Sequence, residues 1–337
     1  MSRQAKVAIL GFGLVGRIAA LMLAPRYRLS VFEQSAESQQ SSAGSVAAAM
    51  LAPLAESVMC GANLAETGLR AMDLWPPLLQ QLDTPVFFQQ QGSLIVAHGQ
   101  DKGDLRSFAQ RLKPLQGHEP QALNSQQITA LEPELSGTFH QGLYLPCEGQ
   151  LDNQAFYRSS YQTLKNSGVE IHFSHPCNSQ QIAQLRRDYG WVIDCRGLGA
   201  KDERQGLRGV RGEVARIYAP EVSLNRPVRL MHPRYPIYIA PKPEHQFVIG
   251  ATEIESQDSG DITVRSTLEL LSAAYSVHRG FAEGRVVSLL AGLRPAFQDN
   301  HPKIERQENL ISINGLYRHG YLLAPEIVRQ ALSQELL

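Results

Sequence analysis

Neither sign of charge dominates this chain of 337 residues: Lys plus Arg number 32, and so do Asp plus Glu. Without an excess of one charge there is no long-range field to gather nucleic acid or an anionic membrane, so a small neutral or zwitterionic ligand suits the balance better. Cysteine is scarce as well. Cys60, Cys147, Cys177 and Cys195 are scattered, with no C-x-x-C pair and no histidine at ligand spacing. That excludes a disulfide framework, leaves no candidate metal site, and favours a reducing, cytoplasmic setting. No run of about 18 uninterrupted apolar residues occurs, so no membrane span is expected. Arg3 and Lys6 precede an apolar stretch in the manner of a signal peptide, but Arg17 interrupts that stretch.

What is present is ordinary for a globular protein: 43% hydrophobic and 19% charged residues, with no disordered or repetitive tract. The length suits one large domain or two interleaved ones. Residues 7–10, 14–23 and 29–33 read as strand, helix and strand. Residues 36–45 read as a loop, 46–59 as a helix of small and apolar residues interrupted near Pro53, and 64–82 as a helix broken at Pro76-Pro77. After Pro85 the texture turns to short β-like runs, 86–90 and 93–97, split by Gly92 at hairpin spacing. Helices follow at 125–131 and 153–165, and strands at 169–173 and 191–195. Strands are expected again over 210–217, 236–241 and 246–250, a helix over 263–284, strands over 285–295 and 310–314, and a closing helix over 322–336.

Gly11, Gly13 and Gly16 form G-x-G-x-x-G, and Glu33 stands seventeen residues after the last of them. Gly11 permits a tight turn, Gly13 leaves room for a diphosphate against backbone, and Gly16 lets the helix pack on the strand. The helix N-terminus offers free N–H groups and partial positive charge. Glu33 would accept the adenosine ribose hydroxyls and oppose a 2′-phosphate. The motif itself does not separate nicotinamide from flavin.

The segment Gly44-Ser45-Val46-Ala47-Ala48-Ala49-Met50-Leu51-Ala52-Pro53-Leu54-Ala55-Glu56 resembles the small-residue stretch after the nucleotide unit in the D-amino-acid oxidase superfamily, above all in glycine oxidases of the thiamine-biosynthesis type. Small residues there let backbone approach a flat ring; the same pattern also serves as a helix packing face. Ala291-Gly292-Leu293-Arg294-Pro295 resembles the family's G-L-R-P segment. Leu316-Tyr317-Arg318-His319-Gly320-Tyr321-Leu322-Leu323-Ala324-Pro325 resembles its R-x-G-x-L-L-A-P segment beside the flavin. Pro236-Ile237-Tyr238-Ile239-Ala240-Pro241 is similar to a strand carrying a substrate-facing tyrosine, though a tyrosine in such a strand also reads as core. Residues 191–199, including Gly197, resemble its second nucleotide-facing strand and turn, and Arg211-Gly212-Glu213 its entry into the large sheet.

The resemblance implies an α/β plus α+β fold, in which a discontinuous Rossmann-like FAD-binding domain (1–85, 150–208 and 285–337) carries an inserted β-rich substrate domain (86–149 and 209–284). It implies FAD held by Gly11, Gly13, Gly16, Glu33, Gly44, Ser45, Ala48, Ala49, Met50, Leu51, Gly197, Gly292, His319, Gly320, Tyr321 and Leu322. Arg294 would clamp a substrate carboxylate, since a guanidinium on an apolar strand is costly to bury without an anion and its planar fork matches one. Tyr238 and Arg318 would assist, though either arginine also reads as a structural residue paired with an internal acid. The implied reaction is oxidative deamination of glycine, sarcosine or a D-amino acid by hydride transfer to flavin N5, with oxygen as acceptor and a possible homo-oligomer.

One departure stands out. Glu326-Ile327-Val328 replace the family's small residues at the last helix, and an acid there opposes an anionic reduced flavin unless it turns away. A dehydrogenase using a quinone or protein acceptor, a protein-modifying flavoprotein and a nicotinamide dehydrogenase are the competing expectations.

Overall fold

Three sheets share the chain in a computed structural model, which describes residues 5–39, 42–113, 115, 117–233 and 236–337. Arg3 and residues 40 and 41 of the expected loop lie outside the described residues. The six-stranded sheet runs Lys303–Gln307, Leu310–Asn314, Trp191–Asp194, Lys6–Leu10, Arg28–Phe32, Glu170–His172, parallel except for its first strand. Its central strand is apolar on both faces, Val7 to Leu10 all fully buried, as a parallel strand covered by helices must be. Helix Leu14–Leu23 follows the glycine turn and packs against Gly320–Leu332, joining the first and last parts of the chain in one core with Trp75, Phe156 and Leu323.

The eight-stranded sheet is ordered Arg285–Ala296, Arg208–Tyr218, Gln246–Gly250, Ile237–Lys242, Val228–Met231, Ser93–Ala97, Gln141–Leu145, Gln121–Asn124. Helix Val264–Val277, capped by Thr263 accepting from Ser266 N, lays Leu270 and Ala274 on the side of this sheet that carries Ile217, Ile239 and Ile249. A small sheet of Met50–Leu51, Gly149–Leu151 and Phe88–Gln89 joins the two halves.

Several elements differ from expectation, each for a local reason. Residues 46–59 do not form one helix. Helix Ala43–Val46 is short, Ala49 takes a left-handed φ of 54°, Met50–Leu51 pairs as a strand, and Pro53 opens helix Pro53–Cys60. Proline suits that first helical position because its missing N–H has no partner there. Pro76 and Pro77 likewise begin helix Trp75–Leu79 instead of breaking one. Gly92 is not a hairpin turn: Phe88–Gln89 pairs with Gly149–Leu151, whereas Ser93–Ala97 pairs with Val228–Met231 and Gln141–Leu145. Its φ of 75°, pressed against Tyr144, passes the chain from one sheet to another. Arg285–Ala296 is an edge strand of the large sheet, paired along Arg208–Tyr218, although it was expected with the nucleotide-binding residues. Helices Lys102–Arg111 and Ser179–Asp188 and strands Gln121–Asn124, Gln141–Leu145, Val228–Met231 and Lys303–Gln307 were not foreseen.

Gly16 is fixed by packing alone: a Cβ there would lie 2.0 Å from the carbonyl oxygen of Gly11. Gly16→Ala is expected to destabilise the protein by about 3 kcal/mol, since backbone must move to admit the methyl. Denaturant unfolding checks this, and a wild-type midpoint would contradict it.

Candidate functional site

Between the two large sheets lies a cavity of about 590 Å³ lined by segments from the whole length of the chain. One end is the glycine turn. Gly11 has a φ of 88°, and a Cβ on it would meet Cys195 O at 2.7 Å, so only glycine closes this turn. A Cβ on Gly13 would meet nothing of the protein closer than Ser42 at 3.7 Å. The chain does not need a glycine there; a group filling the cavity does. Helix Leu14–Leu23 starts beside it with no side-chain cap and no acid in its first turn, which leaves its N–H groups for an anion. Glu33 accepts from Phe12 N at 2.6 Å and Ser35 N at 2.8 Å and also lines the cavity. These features fit a dinucleotide: uncapped amides for the diphosphate, space at Gly13, and an acid at the strand end.

The small-residue segment forms the adjoining wall. Gly44, Val46, Ala47, Ala48, Ala49 and Met50 all line it. Interior donors take the carbonyls of this stretch: Asn153 Nδ2 reaches Gly44 O and Ser45 O, Tyr321 Oη reaches Gly44 O, and Lys242 Nζ reaches Ala48 O at 3.0 Å. Lys242 also donates to Gln150 Oε1 and Leu151 O, while burial pushes its ammonium down to about 7. Ala49 and Tyr317, both on the cavity wall, hold positive φ values of 54° and 52°, an uncommon conformation for residues with a Cβ.

Arg294, Tyr238 and Arg318 all line the cavity and lie within electrostatic reach of one another. Arg294 donates from Nη1 to Arg211 O at 3.1 Å and from Nη2 to Thr252 O at 2.9 Å. Its guanidinium lies over Gly212, where a Cβ would come within 2.2 Å of it. Among the described residues no carboxylate lies within ion-pair distance of it, and burial lowers its pKa. Tyr238 is in electrostatic contact with Arg294, and burial raises its phenol, keeping it protonated at neutral pH.

Arg318 is paired with internal acids, the structural alternative to a substrate role. Its Nη2 donates to Glu56 Oε1 at 3.0 Å, its Nε lies 3.0 Å from Glu56 Oε2, and its Nη1 donates to Glu253 Oε2 at 2.6 Å. With three of its five N–H groups directed at two carboxylates, Arg318, unlike Arg294, has its charge answered within the protein. The neighbouring charge of Glu56 raises its pKa further. Burial opposes ionisation of Glu56, yet Arg318, His319 and Arg229 hold it well below the usual carboxylate range. His319 Nδ1 stands 3.2 Å from Glu56 Oε2, a close approach whose angles fall short of a hydrogen bond.

Of the residues expected at the cofactor, Gly11, Gly13, Glu33, Gly44, Ala48, Ala49, Met50, Gly197, Gly292, His319, Gly320, Tyr321 and Leu322 line the cavity. Gly16, Ser45 and Leu51 do not. Gly16 packs on Gly11, Ser45 exchanges hydrogen bonds with Ser42, and Leu51 is fully buried in its short strand. Glu56 and Glu253 went unassigned. Glu56 closes the small-residue segment, where a lone acid was a usable signal; Glu253 sits in an irregular stretch with none. Glu326 does not line the cavity. Despite burial its pKa is lowered by Arg329, Gln330 and Arg70, with Arg329 Nε at 2.7 Å.

A family model described as FAD dependent oxidoreductase (DAO) matches residues 6–330. The chain belongs to that family, and FAD is its cofactor. A putative thiamine biosynthesis oxidoreductase ThiO of Rhizobium etli is 36% identical over 335 residues, covering 98% of this chain and 97% of the relative. In fold the chain is similar to glycine oxidase from Bacillus cereus, with a TM-score of 0.79 at 21% identity over 97% of this chain and 93% of the other. It is likewise similar to iminodiacetate oxidase from Chelativorans sp. BNC1, with a TM-score of 0.77 at 19% identity over 96% and 94%. Among the described residues no helix is long and apolar enough to cross a membrane, and no cluster could hold a metal ion.

Two outcomes are expected at this site. Gly13→Ala should leave the thermal midpoint of the apoprotein within a degree or so of wild type, because its methyl meets only an ordinary contact, yet weaken FAD binding by about tenfold or more. Fluorescence titration with FAD checks the second part. The buried Glu148 accepts from Ala55 N at 2.7 Å at the start of the helix bearing Glu56, and burial pushes it up to about 7. The folded carboxyl thus keeps a proton that the unfolded chain releases near 4.5, so its stabilising contribution is full below that pH and is lost as pH rises through about 7. Thermal midpoints of wild type should therefore fall more between pH 5 and 8 than those of Glu148→Gln; equal slopes would contradict it.

Proposed function

We propose that this family member oxidises a small amino acid or secondary amine, such as glycine, sarcosine or a D-amino acid, at its CH–NH bond. Arg294 carries the proposal: a half-buried cation facing the cavity, with backbone carbonyls as its only close polar partners among the described residues. Two donors are used, and the remaining N–H groups of the fork are available for a carboxylate. The 36% identical relative is named as a thiamine biosynthesis oxidoreductase, and similar folds include a glycine oxidase and an iminodiacetate oxidase, which supports this substrate class.

Arg294 fixes the carboxylate, and so limits where Cα can lie. Tyr238, neutral because burial keeps its phenol protonated, offers a hydroxyl beside that carboxylate without adding charge. Bound FAD supplies the two-electron acceptor for the hydride leaving Cα. The substrate loses hydride and an amine proton to become an imine, which water hydrolyses to the oxo acid and ammonia or a primary amine. Positioning of this kind supplies several kcal/mol of the acceleration without a strong base. We take molecular oxygen as the final acceptor, with hydrogen peroxide as co-product, and the cytoplasm as the setting. Glu326, which favoured a dehydrogenase, has its charge balanced by Arg329 and Arg70 outside the cavity.

Arg294→Met is expected to retain FAD but lower kcat/KM for glycine or sarcosine by roughly a hundredfold, about 2.8 kcal/mol of lost stabilisation. Steady-state oxygen consumption checks this. An unchanged kcat/KM would remove Arg294 from the substrate site.

A further inference from the structure

Residues 251–263 leave the strand Gln246–Gly250 as an irregular segment held firmly from its buried side. Arg211, 2% exposed, donates to Asp258 O at 2.7 Å, Gly260 O at 2.8 Å and Asp261 O at 2.6 Å, and pairs with the fully buried Glu213 at 2.8 Å. Backbone bonds between Arg211 and Ile254 pin the same segment in both directions. Thr252 is anchored to Glu213 through its hydroxyl and its own N–H. This places Glu253 and Ser259 on the cavity wall in a set position.

Glu253 differs from Glu56, the other acid paired with Arg318. Glu56 is 12% exposed and faces two donors of Arg318, whereas Glu253 keeps a side chain 40% exposed and covers the remaining Nη1. It lies within electrostatic reach of both Arg294 and the Tyr317 phenol. Two guanidinium groups therefore line one cavity: Arg294 with no carboxylate beside it and Arg318 with a carboxylate on each of its three nitrogens.

We infer that Glu253 is a specificity-determining residue that restricts the site to amines carrying one carboxylate, by covering the Arg318 donor a second substrate carboxylate would take and by repelling it. The inference rests on Arg294 receiving the first carboxylate. A monocarboxylate bound there gains the attraction of Arg294 and meets Glu253 only at the rim. A dicarboxylate places its second charge against Glu253, while Arg318 and Arg229 are already engaged by Glu56 and Glu253, and like-charge juxtaposition of this kind strongly disfavours binding.

The test uses the FAD-loaded protein titrated with the inert anions acetate and malonate, read as perturbation of the flavin absorbance, for wild type, Glu253→Gln and Glu253→Ala. Half-exposed Glu253 supports no core packing, so both variants should fold. Wild type should prefer acetate. Malonate affinity relative to acetate should rise about tenfold or more in Glu253→Ala and less in Glu253→Gln, which keeps an acceptor on Nη1. Anaerobic flavin reduction by iminodiacetate relative to glycine should rise in the same order. An unchanged malonate-to-acetate ratio in both variants overturns the inference. If Arg294→Met leaves acetate binding at the wild-type level, the underlying assignment of Arg294 fails instead, and the two failures are distinguished by that variant.

Discussion

A guanidinium half-buried on a strand with no acid beside it is half of an ion pair, and the arrangement around Arg294 keeps it so. The carbonyls of Arg211 and Thr252 hold its fork without neutralising it. Gly212 gives the planar group room to lie across the neighbouring strand. Nearby acids are committed elsewhere: Glu213 to Arg211 and Thr252, Glu56 and Glu253 to Arg318. Desolvation of an arginine without a counter-ion is unfavourable, and the natural release of that cost is a ligand carboxylate.

The other half of the cavity is built by removing side chains. Gly11 is dictated by its turn and Gly16 by helix packing, but Gly13 is dictated by neither, which marks it as space kept for a ligand. Ala49 and Tyr317 accept left-handed backbone on the cavity wall, and Lys242, Asn153 and Tyr321 hold the carbonyls of the small-residue segment. The cofactor site and the carboxylate site share one continuous cavity because the edge strand Arg285–Ala296 carries Gly292 into the first and Arg294 into the second.

The parts of this design that depend on residue type within a short window were legible from sequence. The strand, glycine turn, helix and terminal acid over residues 7–33 showed their arrangement directly, as did the candidate arginine at 294. What was not legible depends on partners distant in the chain. Met50–Leu51 looks helical until Gly149–Leu151 pairs with it. Gly92 looks like a hairpin turn until its two flanking strands join different sheets. Arg318 looks like a second clamp until Glu56 and Glu253, 262 and 65 residues away, close on it. Lys242 carries no motif at all, and only burial beneath Ala48 gives it meaning.

The most direct measurement is the visible spectrum of the purified protein during anaerobic addition of glycine, sarcosine, D-alanine and D-proline. Bound oxidised FAD whose absorbance is bleached by at least one of these, and not by the corresponding amines lacking a carboxylate, is the predicted result. Bound FAD that none of them reduces would contradict the account, because the uncompensated charge of Arg294 would then have no small amino acid to receive.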